Sequence, residues 1–301
     1  MSVKEPINLL QIPNIEFLAN QVVEGFITGL HKSPYHGFSV EFAEHRQYNT
    51  GENSRHIDWK LYGRTDKLFV KKFEEETNLR CQLVIDTSGS MYYPENSFSK
   101  LNFSVVAAAV LIQLLKRQRD ASGLSLFDEQ LYLNTPAKSN AVHLKQLMTS
   151  LQQILDKRKP SQQHSQIAKN LHVLAEQLHK RSLVVIFSDF FETDFDALKL
   201  ALQHLKFNKH EVILFHVGDA VTEAEFNFSN QPHLFVDSET GEQIKLHPTA
   251  IKKAYMEQMD HYKSALKTAC MQFKIDYVEA FVKDDFNQIL YPFLKKRAKL
   301  S

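Results

Sequence analysis

The stretch Leu83-Val84-Ile85-Asp86-Thr87-Ser88-Gly89-Ser90-Met91 decides the fold. A short apolar run ends on a carboxylate, turns through a loop with hydroxyls at alternate positions, and leads into a long apolar helical segment starting near residue 99. Strand, polar loop and helix in that order form the opening of a βαβ unit, in which ligands meet the loop at the carboxyl end of the strand.

Outward from this point the same alternation repeats. Strand-like runs occur at CQLVID (81–86), GLSLFD (123–128), QLYLN (130–134), SLVVIFSD (182–189), HEVILFHV (210–217) and IDYVEAFV (275–282). Helical periodicity predicts helices at about 99–118, 141–157, 165–180, 195–207, 248–273 and 284–298. Strands buried on both faces read as continuous hydrophobic runs, as SLVVIF does. The expectation is an α/β fold: a doubly wound, mostly parallel sheet with crossover helices. FVDSETGEQIKL (235–246) carries two short alternating runs around a Thr-Gly turn and predicts a hairpin inserted before the penultimate helix.

Residues 1–78 read differently from 79–301. They open with a helical pattern from Ile15 to Leu30, break at Pro34 and Gly37, and continue as a mixture of charge and aromatics with few apolar residues. Two domains are therefore expected: an N-terminal α+β extension, 1–78, docked on a main α/β domain, 79–301.

The 301 residues carry 36 Lys plus Arg against 35 Asp plus Glu, so no global field recruits nucleic acid or an anionic membrane surface. The most apolar helical stretch, Leu101 to Leu115, is interrupted by Asn102, Ser104 and Gln113 and falls short of the ~20 residues that span a bilayer. It reads as a buried helix. The start MSVKEPINLLQIP lacks a basic leader followed by a long apolar stretch. A cytoplasmic protein with no membrane span is expected, with Cys81 and Cys270 as buried free thiols. Fourteen histidines show no metal-ligand spacing, and the KKRAK ending reads as a solvated helix end.

The Asp86 loop is where chemistry is expected. Asp86, Ser88 and Ser90 present a carboxylate and two hydroxyls spaced by two, a set that can converge on a hard cation such as Mg²⁺, with Mn²⁺ or Ca²⁺ also suited. Neutral hydroxyls cancel little of the ion's charge, which leaves it electrophilic toward an incoming carboxylate. Asp189 ends another strand and would reach the same sheet edge. Against this stands helix capping, a common use of Asp at strand-to-helix turns.

The Asp86-to-Ser90 run resembles the D-x-S-x-S metal-ion-dependent adhesion motif of von Willebrand factor A domains. Gly37-Phe38-Ser39-Val40-Glu41-Phe42, Arg46-Gln47-Tyr48, Arg55-His56-Ile57-Asp58-Trp59-Lys60 and Val70-Lys71-Lys72-Phe73-Glu74-Glu75-Glu76 resemble, in that order, the signature of the domain of unknown function 58 family. The resemblance covers nearly the whole chain. It implies a von Willebrand factor A-like fold and a functional link to a MoxR-type AAA+ ATPase. It also implies a metal held by Asp86, Ser88, Ser90, Asp189 and a middle element. There the family pattern is Thr, often followed by Asp; this chain has Ser165-Gln166, which keeps the hydroxyl and loses the charge. Asn53 stands where the family commonly has an acid.

Within residues 41–76, nearly balanced charges surround Trp59, the sole tryptophan. Arg46, Arg55, Asp58, Trp59 and Lys60 are candidate partner-binding residues, since Arg and Trp anchor interfaces. An intramolecular clasp accounts for the same pattern. The leading expectation is a non-enzymatic, metal-dependent interaction module that captures an acidic side chain of a protein partner. Two alternatives are a metal-dependent phosphohydrolase using Asp86 as nucleophile, and a metal-free scaffold. The chain has neither a Walker A loop nor a G-x-S-x-G elbow, and the place of a second catalytic acid is taken by Ser88.

Overall fold

The computed structural model describes residues 14–30, 45–47, 62–64, 69–71, 79–95, 97–156, 166–191, 194–237 and 241–297. Two compact units divide the chain, one of Met1–Glu24 with Leu79–Ser301, the other of Gly25–Asn78. Helix α1 (Ile15–Leu30) crosses from the first to the second. The smaller unit pairs strands β1 (His45–Gln47) and β2 (Phe69–Lys71) antiparallel, with Arg46 opposite Val70. Two of the signature blocks are thereby brought side by side.

The larger unit is built on a six-stranded sheet. Its strands are β3 (Arg80–Asp86), β4 (Ala121–Phe127), β5 (Leu131–Lys138), β6 (Leu183–Ser188), β7 (Glu211–Gly218) and β10 (Asp276–Phe281), in the spatial order β10-β7-β6-β3-β4-β5. All neighbours run parallel except β4 and β5. Strand β5 follows β4 after only Asp128–Gln130, a connection too short for a parallel crossover, so it returns as the antiparallel edge. Its burial alternates residue by residue, and it tolerates Pro136 because an edge strand has a free side. Strands β8 (His233–Val236) and β9 (Gln243–Leu246) form the expected hairpin, tied down by Phe226 against Phe235 and Tyr255.

Six helices cover the two faces of this sheet: α2 (Lys100–Arg117), α3 (Ala141–Asp156), α4 (Ile167–Gln177), α5 (Phe195–Phe207), α6 (Pro248–Gln272) and α7 (Asn287–Arg297). Val84, Val184, Ile186, Val212 and Leu214 point to the face covered by α4, α5 and α6, where they pack with Leu171, Leu202, Leu266 and Cys270. Alternation sends Leu83, Ile85, Val185, Phe187, Ile213 and Phe215 to the other face, under α2 and α7. Phe187 and Phe215 stack there at 5.0 Å.

Helix α2 is buried almost all round. One side lies on the sheet, and the other is covered by the start of α1, where Glu16 reaches Lys116 and Glu24 reaches Arg117. That second cover is why its apolar residues are not confined to one stripe. No helix among the described residues is long and apolar enough to cross a membrane. Cys81 and Cys270 are buried free thiols. The basic C-terminal turn is not solvated as the sequence suggested: Lys296 bridges Glu211 and Asp276, and Arg297 reaches Asp120. Those acids lie at strand starts and in the loop before β4, and the helix end lands on them.

Candidate functional site

Strand order reverses around β3. The chain leaves β3 for β4 on one side and later returns to β6 on the other. Crossover loops diverge at such a point and open a crevice at the carboxyl ends of the strands. Asp86 ends β3 and Ser188 ends β6, so both stand at this crevice.

Asp86 is fully buried. Its Oδ1 accepts the Ser88 backbone N–H at 2.9 Å, and its Oδ2 accepts the Ser188 hydroxyl at 2.7 Å. The first bond bends the chain into the loop, which continues as a 3₁₀ turn over Gly89–Tyr92. The side chains of Ser88 and Ser90 then approach to 3.2 Å between their Oγ atoms. Thr87 faces away, bonded to the Phe127 carbonyl at 2.9 Å and to the Tyr132 hydroxyl at 3.0 Å. Asp86, Ser88 and Ser90 are therefore gathered at one place, with Ser90 only partly buried at its open side.

Asp189 follows β6 into the same crevice. Its Oδ1 accepts the Phe191 N–H at 3.3 Å, and the nearby Ser90 hydroxyl favours its charged form. Its Oδ2 holds the ammonium of Lys100 at 2.9 Å. Lys100 is 1% exposed and makes a second ion pair at 2.7 Å with Glu223. Glu223 sits in a π-helical turn, Ala220–Ala224, and its other oxygen accepts the Asp219 N–H at 2.8 Å. Such turns recur at functional positions because they re-aim a side chain.

The two aspartates are driven apart in acidity. Burial, and next the charge of Asp189, push the Asp86 carboxyl up to about 7, although bonds from Ser88 and Ser188 oppose the rise. Burial would raise Asp189 as well, but the Lys100 charge and the donors around it hold its carboxyl below the usual range. Lys100 itself is held above its ordinary value, the pull of Asp189 and Glu223 outweighing burial.

Among the described residues no three His, Cys, Asp or Glu side chains are grouped to hold a metal, so an ion here would depend on serine oxygens. The donor set of Asp86, Ser88, Ser90 and Asp189 is all oxygen and combines carboxylates with hydroxyls, which suits a hard divalent cation. Ser165 lies outside the described residues, as do Arg55, Asp58, Trp59 and Lys60; Arg46 is placed by its backbone in β1.

Sequence reasoning missed Lys100, Ser188 and Glu223. Lys100 had one legible signal, a lysine at the first position of a largely apolar helix, the end where a cation is disfavoured. Ser188 follows from register, because Ile85 pairs with Phe187 and the next residues along are Asp86 and Ser188. Glu223 carried no signal, since its reach to Lys100 spans β7 and the turn after it.

A doubly wound α/β module is thus defined, with two carboxylates, two hydroxyls and a buried lysine at its switch point. The chain belongs to the family described as protein of unknown function DUF58, whose model matches residues 44–265. It is 24% identical over 176 residues to uncharacterized proteins of Mycobacterium tuberculosis and Mycobacterium bovis, a match covering 58% of this chain and 55% of theirs. The chain therefore spans about half the length of these curated relatives. Among solved structures it is similar to an aerotolerance-related membrane protein from Bacteroides fragilis (15% identity, TM-score 0.49, 73% of this chain and 99% of that one). A conserved hypothetical protein, BatB, from Bacteroides thetaiotaomicron is similar at 16% identity and TM-score 0.46, covering 73% of this chain and 98% of that one.

Proposed function

We propose that this protein is a non-enzymatic, von Willebrand factor A-like interaction module that captures an acidic side chain of a protein partner with the help of a divalent cation. The observation that carries the reading is the convergence of Asp86, Ser88 and Ser90 from one strand end with Asp189 from another. Asp86, Ser88, Ser90 and Asp189 would hold the ion, Mg²⁺ in the first instance, and the ion would supply an electrophilic anchor for a carboxylate. Ser88 and Ser90 contribute no charge, so the attraction for that carboxylate is not cancelled. Asp86 orients the loop by its bond to the Ser88 N–H, and Ser188 orients Asp86.

By its resemblance the module acts with a MoxR-type AAA+ ATPase. The test is co-purification of such an ATPase with the full chain in Mg²⁺ and in chelator, for the natural sequence and for Asp86→Ala. Capture is expected in Mg²⁺ only and is lost in the variant; equal capture in chelator defeats the reading. Turnover of a simple phosphate ester, lost in Asp86→Ala, would instead favour a phosphohydrolase.

A further inference from the structure

Lys100 is a charged group at the crevice that a cation site does not need. A buried ammonium is costly to desolvate and persists only when paired. Its two partners differ in kind. Asp189 belongs to the candidate cation site, while Glu223 stands outside it on the π-helical turn. Glu223 is held from behind by the Asp219 N–H, and Asp219 in turn accepts from the backbone N–H and hydroxyl of Thr222 at 2.9 and 2.8 Å. This second seat is therefore built independently of Asp189. The Tyr93 ring, its centroid 6.0 Å from the ammonium, offers a further cation-compatible surface, and its hydroxyl is fixed on Thr222 at 2.7 Å.

From this arrangement we infer that Lys100 is a resident, displaceable cation that competes with the divalent ion for Asp189. With the ammonium on Asp189 Oδ2, the charge of that carboxylate is neutralised and one of its two oxygens is taken. When a divalent ion takes Asp189, Lys100 stays paired to Glu223 and is not left as an uncompensated buried charge. A tethered competitor is present at a fixed, high effective concentration. The site is thereby tuned to weak divalent affinity, filled only when a second contribution, such as a partner's carboxylate, adds to the ion's binding.

The inference rests on the proposed cation site, and its test separates the two. Mn²⁺ and Mg²⁺ are titrated by calorimetry into the full chain, into Lys100→Met, and into Lys100→Met/Glu223→Gln. The double variant loses one positive and one negative charge, so its net charge equals that of the natural protein. A gain in affinity there reports the release of Asp189 and not a more negative crevice. The double variant should bind Mn²⁺ at least tenfold more tightly than the natural protein, and adding Asp86→Ala should abolish that binding.

Equal, measurable affinity in the natural protein and the double variant overturns the role of Lys100 and leaves the cation site standing. Failure of both to bind overturns both readings. Should the variants not fold, the natural protein labelled with ¹⁵N at lysine Nζ decides. Added Mg²⁺ should shift the Lys100 ammonium resonance and speed its proton exchange with water, and an unaltered signal at the highest Mg²⁺ concentration overturns the inference.

Discussion

The Ser188 hydroxyl donates to Asp86 Oδ2 at 2.7 Å, joining the ends of two neighbouring strands at the point where the sheet reverses its order. The same Ser188 oxygen accepts the Phe190 N–H at 2.9 Å, so one hydroxyl shapes both the aspartate and the turn leaving β6. Ser188→Ala should destabilise the fold by ~1–3 kcal/mol, because a buried carboxylate and a buried N–H each lose a partner. Urea unfolding checks this, and an unchanged midpoint contradicts it.

Removing the charge of Lys100 should be costlier. Lys100→Met leaves Asp189 and Glu223 uncompensated, for which a loss of ~3–5 kcal/mol is expected. Adding Glu223→Gln removes one of the two stranded anions and should restore part of that loss. Thermal unfolding of both variants without metal tests the pair; a double variant less stable than the single one would contradict it.

Gly123 lies where β3, β4 and β5 crowd together. A Cβ there would sit 2.3 Å from Gln82 Oε1, 2.6 Å from the Thr135 carbonyl oxygen and 2.9 Å from the Ala137 nitrogen. The Gln82 amide is itself committed to Ser125, Asn134 and the Thr135 carbonyl, so it cannot move without breaking bonds. Gly123→Ala should cost ~1–3 kcal/mol in chemical denaturation. Gly25→Ala, on an exposed helical position with nothing within 4 Å, should stabilise by ~0.5–1 kcal/mol in the same assay.

His210 is fully buried, accepts the Ser182 N–H at 3.3 Å, and is held below its ordinary 6.5 chiefly by burial. The folded chain keeps this ring neutral where the unfolded chain protonates, so stability is lost as the pH falls below about 6.5. His216, lowered to about 4 by burial and then by Lys263, acts with the same sign. His210→Gln should reduce the histidine contribution to the slope of stability against pH below about 6.5 without abolishing it, since His216 acts with the same sign while Asp86, raised to about 7, acts with the opposite one. An unchanged slope would show that His210 does not titrate differently on unfolding.

Much of this molecule was legible in the residue order, because local rules acted alone. SLVVIF reads as a doubly buried strand and is one; the two alternating runs in 235–246 mark a hairpin, and β8 and β9 pair antiparallel. Asp86, Ser88 and Ser90 are brought together by a loop only a few residues long, so their spacing sufficed. Asp189 follows β6 to the same sheet edge as Asp86 because parallel strands end on one edge.

What the residue order left open depended on which strands became neighbours. Only the reversal around β3 puts Ser188 against Asp86, and only the turn after β7 carries Glu223 to Lys100. The sequence by itself determined the elements and the oxygen side chains gathered at the Asp86 loop, since periodicity and short loops are properties of neighbouring residues. Tertiary structure alone decided that a lysine ammonium shares the crevice, because a buried charge is tolerated only where distant segments deliver its counter-charges.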